Sequence, residues 1–388
     1  MFQRWYIGLI LGTALMAGQP APVRAQAWAL ALDARGSVVG DLKPEEFQVK
    51  VDGKSRPVLD VKTPNQTSAA PQSWVLVFEP IRDPNFRATA FVAAAEFLTK
   101  VPEGDRVLIV ARGKDSLESL MSGFSLRRGL WAEAMAKIPD MLPEALVGDP
   151  KETLQGVRVQ VMSTDVSDGP AGQEALKTLL ARFKGGAQGW AHGKMDQRGL
   201  SILVRLNFND PMSVRSKMVT IKRESKALGS LFDLVAPVQG QKHVIVFSRC
   251  EADDMCHPGV KRAIGQDFKR TKGDDGGPAE SATYVTGEMT LLHDDLKAKA
   301  VVAGVNLFSV AGAGQNVVGH IGAIAPATGG FDFPLNMRLL EDRFAQAIQM
   351  FGYRYLVTWT GDGTQGKPRA LEISTSRKDV KILAQTLM

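Results

Sequence analysis

Cysteine is scarce in this chain of 388 residues, which contains only Cys250 and Cys256. Five residues separate them, so the C-x-x-C spacing of thiol–disulfide catalysts is absent. His257 is the one further metal ligand beside them, whereas a structural zinc site needs about four. The pair therefore favours a disulfide in an oxidising compartment, which would close a small loop.

Histidine is also scarce, and its five positions exclude a familiar class of metalloprotease. None of them belongs to a His-Glu-x-x-His or His-x-x-x-His pattern, which would put two imidazoles on one face of a helix. The nucleophile motif Gly-x-Ser-x-Gly and the phosphate loop Gly-x-x-x-x-Gly-Lys-Ser/Thr are missing as well. His243 lies in an apolar run and is interpreted as a packing residue. We predict that the protein is not an enzyme.

Long apolar runs are confined to the N-terminus. Arg4 precedes an apolar stretch at residues 5–18, and small residues follow at 23–27. This pattern is typical of a secretory signal peptide, which we assign to residues 1–27; an uncleaved anchor is the alternative. No later run reaches the roughly 18 apolar residues of a spanning helix. We therefore expect a periplasmic or secreted mature protein without a membrane span.

Neither sign of charge is in large excess, since the formal net charge is +6. The most basic helix-like segment, residues 212–234, has no aromatic side chain among its basic positions 215–226. Proteins that bind single-stranded nucleic acid combine basic grooves with aromatic stacking platforms. The segment is therefore interpreted as a solvated helix face, and no nucleic-acid partner is predicted.

After the N-terminus, strand-like and helix-like hydrophobic patterns alternate. Apolar runs typical of buried parallel strands occupy residues 74–78, 106–111, 242–247 and 305–310. Helical spacing of apolar residues occurs at 85–100, 126–138, 212–234, 289–303 and 338–351. This order predicts an α/β fold with a doubly wound, mostly parallel, Rossmann-like sheet.

Short β segments flank the α/β region at both ends. Residues 28–62 include the hairpin signal Asp52-Gly53, and residues 352–388 form the C-terminal β segment. Residues 63–73 are interpreted as a linker. Because hairpins this short are marginal alone, we predict that the β segments of the two ends pair in one unit.

The α/β domain itself spans residues 74–351. Within it, residues 139–209 show no clear order of strand and helix, and they are interpreted as an insertion. If the protein were an exported enzyme, its active site would lie here and use acids such as Asp165, Asp168 and Asp196. Nothing in the sequence pairs these acids with a base or a nucleophile.

Several segments resemble the von Willebrand factor type A (vWA) domain, in the bacterial group called VWFA-related. One is the lead-in from Leu32 to Phe47, and another is Ile324-Ala-Pro-Ala-Thr-Gly-Gly330, which is similar to the group's Ala-Thr-Gly-Gly signature. The other matching segments are residues 101–107, 242–248, 303–308 and 353–357. Their order and spacing bracket nearly the whole mature chain and leave out residues 139–209.

The resemblance implies how such a domain binds its partners. vWA domains hold a magnesium or similar ion with Asp-x-Ser-x-Ser after the first strand, a threonine of a second loop and an aspartate after the fourth strand. Oxygen ligands surround this ion, and one position stays open for a carboxylate of the partner protein. The corresponding loops of this chain carry Glu79, Ile81, Arg82, Asp83, Thr153, Ser248 and Arg249.

These residues depart from the ligand pattern. Glu79 replaces the first aspartate, and Ile81 and Asp83 replace the two serines. Arg249 stands where the loop aspartate is expected. Ile81 has no ligand atom, and a guanidinium repels a dication. We interpret the ion site as degenerate, with no metal or other cofactor, and expect Arg249 or Arg82 to pair with Glu79.

The sequence and the resemblance together favour a non-catalytic protein-binding module of the bacterial cell envelope. It is expected to bind an envelope protein through the loops at the top of the sheet, independently of divalent ions. A metal-dependent adhesion module remains as an alternative, with Glu79, Asp83 and Thr153 as atypical ligands.

Overall fold

The computed structural model describes residues 24–35, 37–67, 71–79, 84–112, 117–141, 166–192, 211–248, 278–311, 320–330, 332–334, 350, 353–361 and 369–386. The strands within these segments are β1 (Arg24–Asp33), β2 (Phe47–Val51), β3 (Lys54–Arg56), β4 (Val58–Lys62), β5 (Ser73–Phe78), β6 (Arg106–Arg112), β7 (Leu117–Ser119), β8 (Lys242–Ser248), β9 (Val305–Ala311), β10 (Asp332–Pro334), β11 (Tyr355–Thr360), β12 (Leu371–Thr375) and β13 (Val380–Ala384). The helices are α1 (Pro64–Thr67), α2 (Pro84–Lys100), α3 (Arg128–Met141), α4 (Gly169–His192), α5 (Pro211–Val235), α6 (Pro278–Val302) and α7 (His320–Ile324). None of the helices in the described segments combines the length and the apolar character needed to cross a membrane.

A six-stranded sheet forms the centre of the molecule, in the order β10-β9-β8-β5-β6-β7. Its strands are parallel except for β7, which pairs antiparallel with β6 at one edge, so the prediction of a mostly parallel sheet is confirmed. Every residue of β5 is buried, as its apolar run predicts for a strand covered on both faces. Strand β5 lies between β6, the next strand along the chain, and β8, so the chain extends the sheet in both directions from β5.

Helices pack on both faces of this sheet because successive side chains of a strand point to opposite faces. On one face, Leu76 and Phe78 belong to a hydrophobic cluster with residues of α2, α3 and α4. On the other, Val75 and Val77 belong to a second cluster with residues of α5, α6 and α7. The sheet is therefore the middle layer of three.

Helix α4 lies within residues 139–209 and packs into this three-layer core, while the interpretation of the whole segment as an insertion stays a prediction. Its residues Leu176, Leu179 and Phe183 recur at helical spacing and are buried against α2 and α3. Glycines such as Gly185 lower the helix propensity of the segment, so its local pattern is weak. Packing against two neighbouring helices overrides that weakness.

The strands of the two chain ends form a β unit with its own core. Strand β1 pairs with β11 and β13 in a four-stranded sheet, and β2 pairs with β12 in a three-stranded one. Both sheets contribute to one hydrophobic cluster, which includes Phe47, Trp359 and Ile373. The predicted pairing of the two ends is confirmed, although it takes the form of two sheets. The hairpin signal is confirmed too, since Asp52 and Gly53 join β2 to β3 with φ angles of 50° and 75°.

The first strand begins inside the segment assigned to the signal peptide. Arg24 to Ala27 pair with Thr360 to Val357, so these four residues belong to the β unit. Cleavage before Gln26 would leave two of these four pairs, whereas cleavage before Trp28 would remove all four. Cleavage itself stays a prediction.

Candidate functional site

The carboxyl ends of β5 and β8 lie side by side at the top of the central sheet. Phe78 is in register with Phe247, and the backbone N–H of Glu79 donates a hydrogen bond to the carbonyl oxygen of Phe247 at 2.9 Å. Glu79 and Ser248 are both buried, at 2% and 5% exposure. Ligands of parallel α/β sheets bind beyond the carboxyl ends of strands, at the point where the strand order reverses. The structure thus brings together two of the residues that the resemblance places in one site.

The two phenylalanines that precede this pair hold the strand ends together. Their rings stack with centroids 4.8 Å apart and planes 4° apart, and Phe91 of α2 meets Phe78 edge-on at 5.8 Å. Such aromatic pairs contribute about 0.5–1.5 kcal/mol beyond the area they bury. Separating Glu79 from Ser248 would therefore disrupt the core beneath them.

The other predicted site residues lie outside the described segments; they are Ile81, Arg82, Asp83, Thr153, Arg249, Cys250 and Cys256. The disulfide between the two cysteines stays a prediction. Within the described segments, no group of three or more histidine, cysteine, aspartate or glutamate side chains could hold a metal ion. Glu79 and Ser248 supply two oxygen-bearing side chains, whereas a magnesium site needs about six ligands.

Asp168, one of the acids considered for an enzyme, has a structural role. Its Oδ1 accepts a hydrogen bond from the backbone N–H of Arg128 at 2.9 Å, and its Oδ2 accepts one from that of Gly129 at 2.7 Å. These are the first two residues of α3, so the carboxylate caps the N-terminus of that helix. Asp165 and Asp196 lie outside the described segments.

Sequence reasoning missed a second polar site, at the opposite end of the sheet. We call it the amino-end cluster; it comprises Gln72, Trp74, Asp105, His243, Asn306, Thr328 and Arg354. Arg354 is fully buried; its Nη1 donates to Asn306 Oδ1 at 2.6 Å and its Nη2 donates to the carbonyl oxygen of Gly329 at 2.9 Å. Burial lowers the pKa of Arg354 to about 10. Because Arg354 directly precedes β11, its guanidinium links the β unit to the start of β9.

The other half of the amino-end cluster joins β5, β6 and β8. Asp105 accepts hydrogen bonds from the backbone N–H of Gln72 at 2.9 Å and from Trp74 Nε1 at 2.8 Å. Gln72 Oε1 lies 2.8 Å from His243 Nε2, and the imidazole stacks on the Trp74 ring with centroids 4.3 Å apart. Burial raises the pKa of Asp105, while its hydrogen bonds to Gln72 and Trp74 lower it in part. His243 is a buried packing residue, as the sequence suggested.

Five of the segments that carry the vWA resemblance contribute to this cluster, including residues 242–248 with His243, 303–308 with Asn306 and 353–357 with Arg354. Asp105 belongs to the segment at residues 101–107, and Thr328 and Gly329 belong to the Ala-Thr-Gly-Gly signature. Thr328 Oγ1 donates to the carbonyl oxygen of Ala325 at 2.7 Å and accepts the backbone N–H of Leu307 at 2.9 Å. These motif residues therefore hold strands together, and the resemblance was the one signal that could have marked them.

We expect the protein to lose stability as the pH falls below 6.5, the ordinary pKa of histidine. The pKa of His243 lies well below that value, first because of its burial and second because of the nearby Arg354 cation. The unfolded chain then binds a proton that the folded state rejects, so stability is present above the unfolded pKa and is lost as the pH falls. One such group contributes a slope of up to about 1.4 kcal/mol per pH unit. Urea unfolding at a series of pH values on both sides of 6.5 measures this slope.

The matched control is His243→Phe, which keeps an aromatic ring against Trp74 and removes the titrating group. It loses the hydrogen bond to Gln72 at every pH, so its stability should be lower but its slope shallower. Asp105 acts in the opposite sense, because its raised pKa adds stability that is lost as the pH rises through the folded value. Since Asp105 is present in both proteins, the difference in slope belongs to His243. Equal slopes would contradict the assignment.

No protein-family model matches the chain, and no curated protein matches it. Among solved structures, it is similar to a von Willebrand factor type A protein from Catenulispora acidiphila, with 9% identity, coverage of 93% of this chain and 72% of the other, and a TM-score of 0.33. It is also similar to the human COPII-coat protein Sec24c (12% identity, 92% and 49% coverage, TM-score 0.34) and to the PilB minor pilin from Streptococcus sanguinis (9% identity, 73% and 61% coverage, TM-score 0.31). At these TM-scores and identities, the similarities establish neither family nor function.

Proposed function

We propose that this protein is an exported, vWA-like binding module of the bacterial envelope, with a doubly wound α/β domain that binds a partner protein at the top of its sheet. The observation that carries the proposal is the juxtaposition of Glu79 and Ser248. These residues end the two central strands, at the point where the strand order reverses and where ligands of such sheets bind. The sequence motifs supply the resemblance to vWA domains, and the three-layer architecture is compatible with it.

Binding in this proposal does not use a divalent ion. Glu79 is buried, and Ser248, which ends the neighbouring strand, is buried as well. The residues that follow the two strands supply cations, Arg82 and Arg249, where a metal site would need oxygen ligands. An arginine at Glu79 would neutralise that carboxylate and present a planar fork to an acidic group of the partner.

The proposal is tested by capture of a partner from envelope extract on the immobilised protein, with captured proteins identified by mass spectrometry. We expect the same partner with magnesium and with a chelator. Arg249→Ala should lower the amount captured far more than the chelator does. Lys137→Ala is the matched control, because Lys137 is an exposed cation on α3 that pairs with Glu133. Melting temperatures of all variants establish that they are folded.

Isothermal titration with magnesium and manganese separates this proposal from metal-dependent adhesion. We expect no heat of binding and no shift in melting temperature with either ion. A micromolar affinity for an ion that Glu79→Ala or Asp83→Ala abolishes would contradict metal independence. Capture that requires the ion would restore the alternative with Glu79, Asp83 and Thr153 as ligands.

A further inference from the structure

Strand β4 is the outer strand of its sheet. In the order β13-β1-β11-β4 it has one neighbouring strand, β11, within the described segments. Its pairing with β11 runs from Lys62 opposite Leu356 to Val58 opposite Trp359. Val61 belongs to the core of the β unit and is 5% exposed. The other edge of β4 therefore carries backbone groups that no described strand binds.

Two opposite charges flank Val61 on this edge strand. Asp60 and Lys62 are both exposed. Because alternate residues of a strand share a face, these two side chains lie on one face and Val61 lies on the other. Within the described segments neither charge forms a salt bridge, so both are available to a partner.

The two ends of β4 restrict what can pair with it. Pro57 precedes the strand and Pro64 begins α1 after it, and proline cannot donate to a ladder of backbone hydrogen bonds. The register against β11 shifts between Thr358 and Trp359, and Leu59 is the residue passed over. Proline, charge and bulges are the usual devices that keep edge strands from indiscriminate pairing. An added strand is therefore confined to residues 60–62 and their immediate neighbours, and it must match the charges there.

The order of these charges makes β4 complementary to itself. When two copies of β4 run antiparallel about a twofold axis at Val61, Asp60 of each copy lies opposite Lys62 of the other. Side chains directly opposite each other have Cβ atoms about 4.5–5.5 Å apart, where opposite charges attract and like charges repel. An axis at Asp60 or at Lys62 would instead set a charge opposite itself. Of these registers, only the one at Val61 pairs both charges.

We propose that two copies of this chain associate by antiparallel pairing of their β4 strands, with reciprocal contacts between Asp60 and Lys62. The arrangement is self-complementary, as the contact of a twofold dimer must be. So short a contact buries far less than the roughly 1,200 Å² of a stable interface, and we therefore expect a weak, reversible dimer. The contact is independent of the function proposed for the top of the sheet.

Sedimentation equilibrium of the full chain between about 5 and 500 µM tests the proposal. We expect a reversible equilibrium between monomer and dimer. Asp60→Lys and Lys62→Asp each place like charges at both cross-strand positions, so each should weaken the association by about tenfold or more. Glu133→Lys and Lys137→Asp are the matched controls, because they make the same changes of charge at an exposed pair on α3. Both controls should associate as the parent does, and melting temperatures establish that all variants are folded.

Mixing the two weakened variants provides a positive test that does not depend on a loss. In a mixed dimer of the Asp60→Lys and Lys62→Asp chains, both cross-strand pairs again have opposite charges. The mixture should therefore associate with an affinity close to that of the parent. The double variant Asp60→Lys/Lys62→Asp should recover self-association for the same reason.

Three results would overturn the proposal. The first is a parent protein that stays monomeric up to about 500 µM. The second is an association that neither single substitution weakens, which would place the contact elsewhere. The third is a mixture of the two variants that associates no better than either variant alone. Because none of these substitutions changes Glu79 or Ser248, capture of the envelope partner should proceed normally in every variant, and failure here would leave the proposed function standing.

Discussion

Replacing Arg354 by methionine is expected to lower the free energy of unfolding by about 2–6 kcal/mol, because it removes a buried charged donor from two neutral acceptors. Arg354 has no exposed surface, and its guanidinium donates to Asn306 Oδ1 and to the carbonyl oxygen of Gly329. Methionine fills a similar volume but donates no hydrogen bond. Two buried acceptors would then lose their donor, and each such loss costs about 1–3 kcal/mol.

The control for this prediction is Arg377→Met, the same substitution at the surface of the β unit. Arg377 also bonds two partners, Glu46 and Asp41, but its side chain is 30% exposed, so water can replace the lost bonds. Its loss should be clearly the smaller of the two. Arg354→Lys keeps the positive charge but lacks the planar guanidinium that donates to both acceptors. It should lower the stability nearly as much as Arg354→Met does. Urea unfolding monitored by tryptophan fluorescence measures all three, and a loss below about 1 kcal/mol for Arg354→Met would contradict a linking role.

The central strands were largely predictable from the sequence because burial on both faces demands continuous apolar runs. The structure places β5, β8 and β9 within one residue of the runs at 74–78, 242–247 and 305–310. The hairpin turn could also be predicted from adjacent residues, since Asp52-Gly53 supplies the two positive φ angles that the turn requires. Such features depend on a few neighbouring residues, which a single sequence displays directly.

Helix α4 could not be predicted in the same way, because tertiary contacts determine it. Its Leu176 and Phe183 are apolar residues at helical spacing, but glycines within the segment weaken the local signal. What stabilises the helix is a groove between α2 and α3, and no pattern within residues 169–192 indicates that groove. The Asp168 cap on α3 is hidden for the same reason, since it bonds residues 39 and 40 positions earlier in the chain.

The polar sites also include one part that could be predicted from the sequence and one part that could not. The resemblance to vWA domains predicted that the residues after the first and fourth strands adjoin, and the structure places Glu79 beside Ser248. For the amino-end cluster, the resemblance marked the segments but not the contacts between their polar side chains. Arg354 lies 48 residues from Asn306 along the chain, and although residues 353–357 resemble a vWA segment, the sequence does not indicate that this arginine is buried. Polar contacts between residues so far apart in the sequence can be identified only from the three-dimensional arrangement of the strands.

Gly330→Ala is expected to be at least as damaging as the loss of Arg354, with a cost of about 4 kcal/mol or more. A Cβ atom at Gly330 would overlap the carbonyl oxygen of Leu307 in β9. The obstacle is backbone, which cannot rotate away as a side chain could, and Leu307 lies in the middle of a buried strand. Its N–H is also bonded to Thr328, so a shift of this strand would disturb the signature turn as well.

A graded series of glycine-to-alanine substitutions tests this explanation. Gly329 has a φ of +79° and backbone neighbours 3.2–3.3 Å from an added Cβ, so Gly329→Ala should cost less than Gly330→Ala but still more than about 1 kcal/mol. Gly185 of α4 has nothing within 4 Å, and Gly185→Ala should raise stability by up to about 1 kcal/mol through helix propensity. Urea unfolding measures the three, with circular dichroism to establish whether Gly330→Ala folds at all. The order of Gly330 worst, Gly329 intermediate and Gly185 harmless is the expected result. A Gly330→Ala protein as stable as the parent would show that β9 and the signature turn are not in the close contact described.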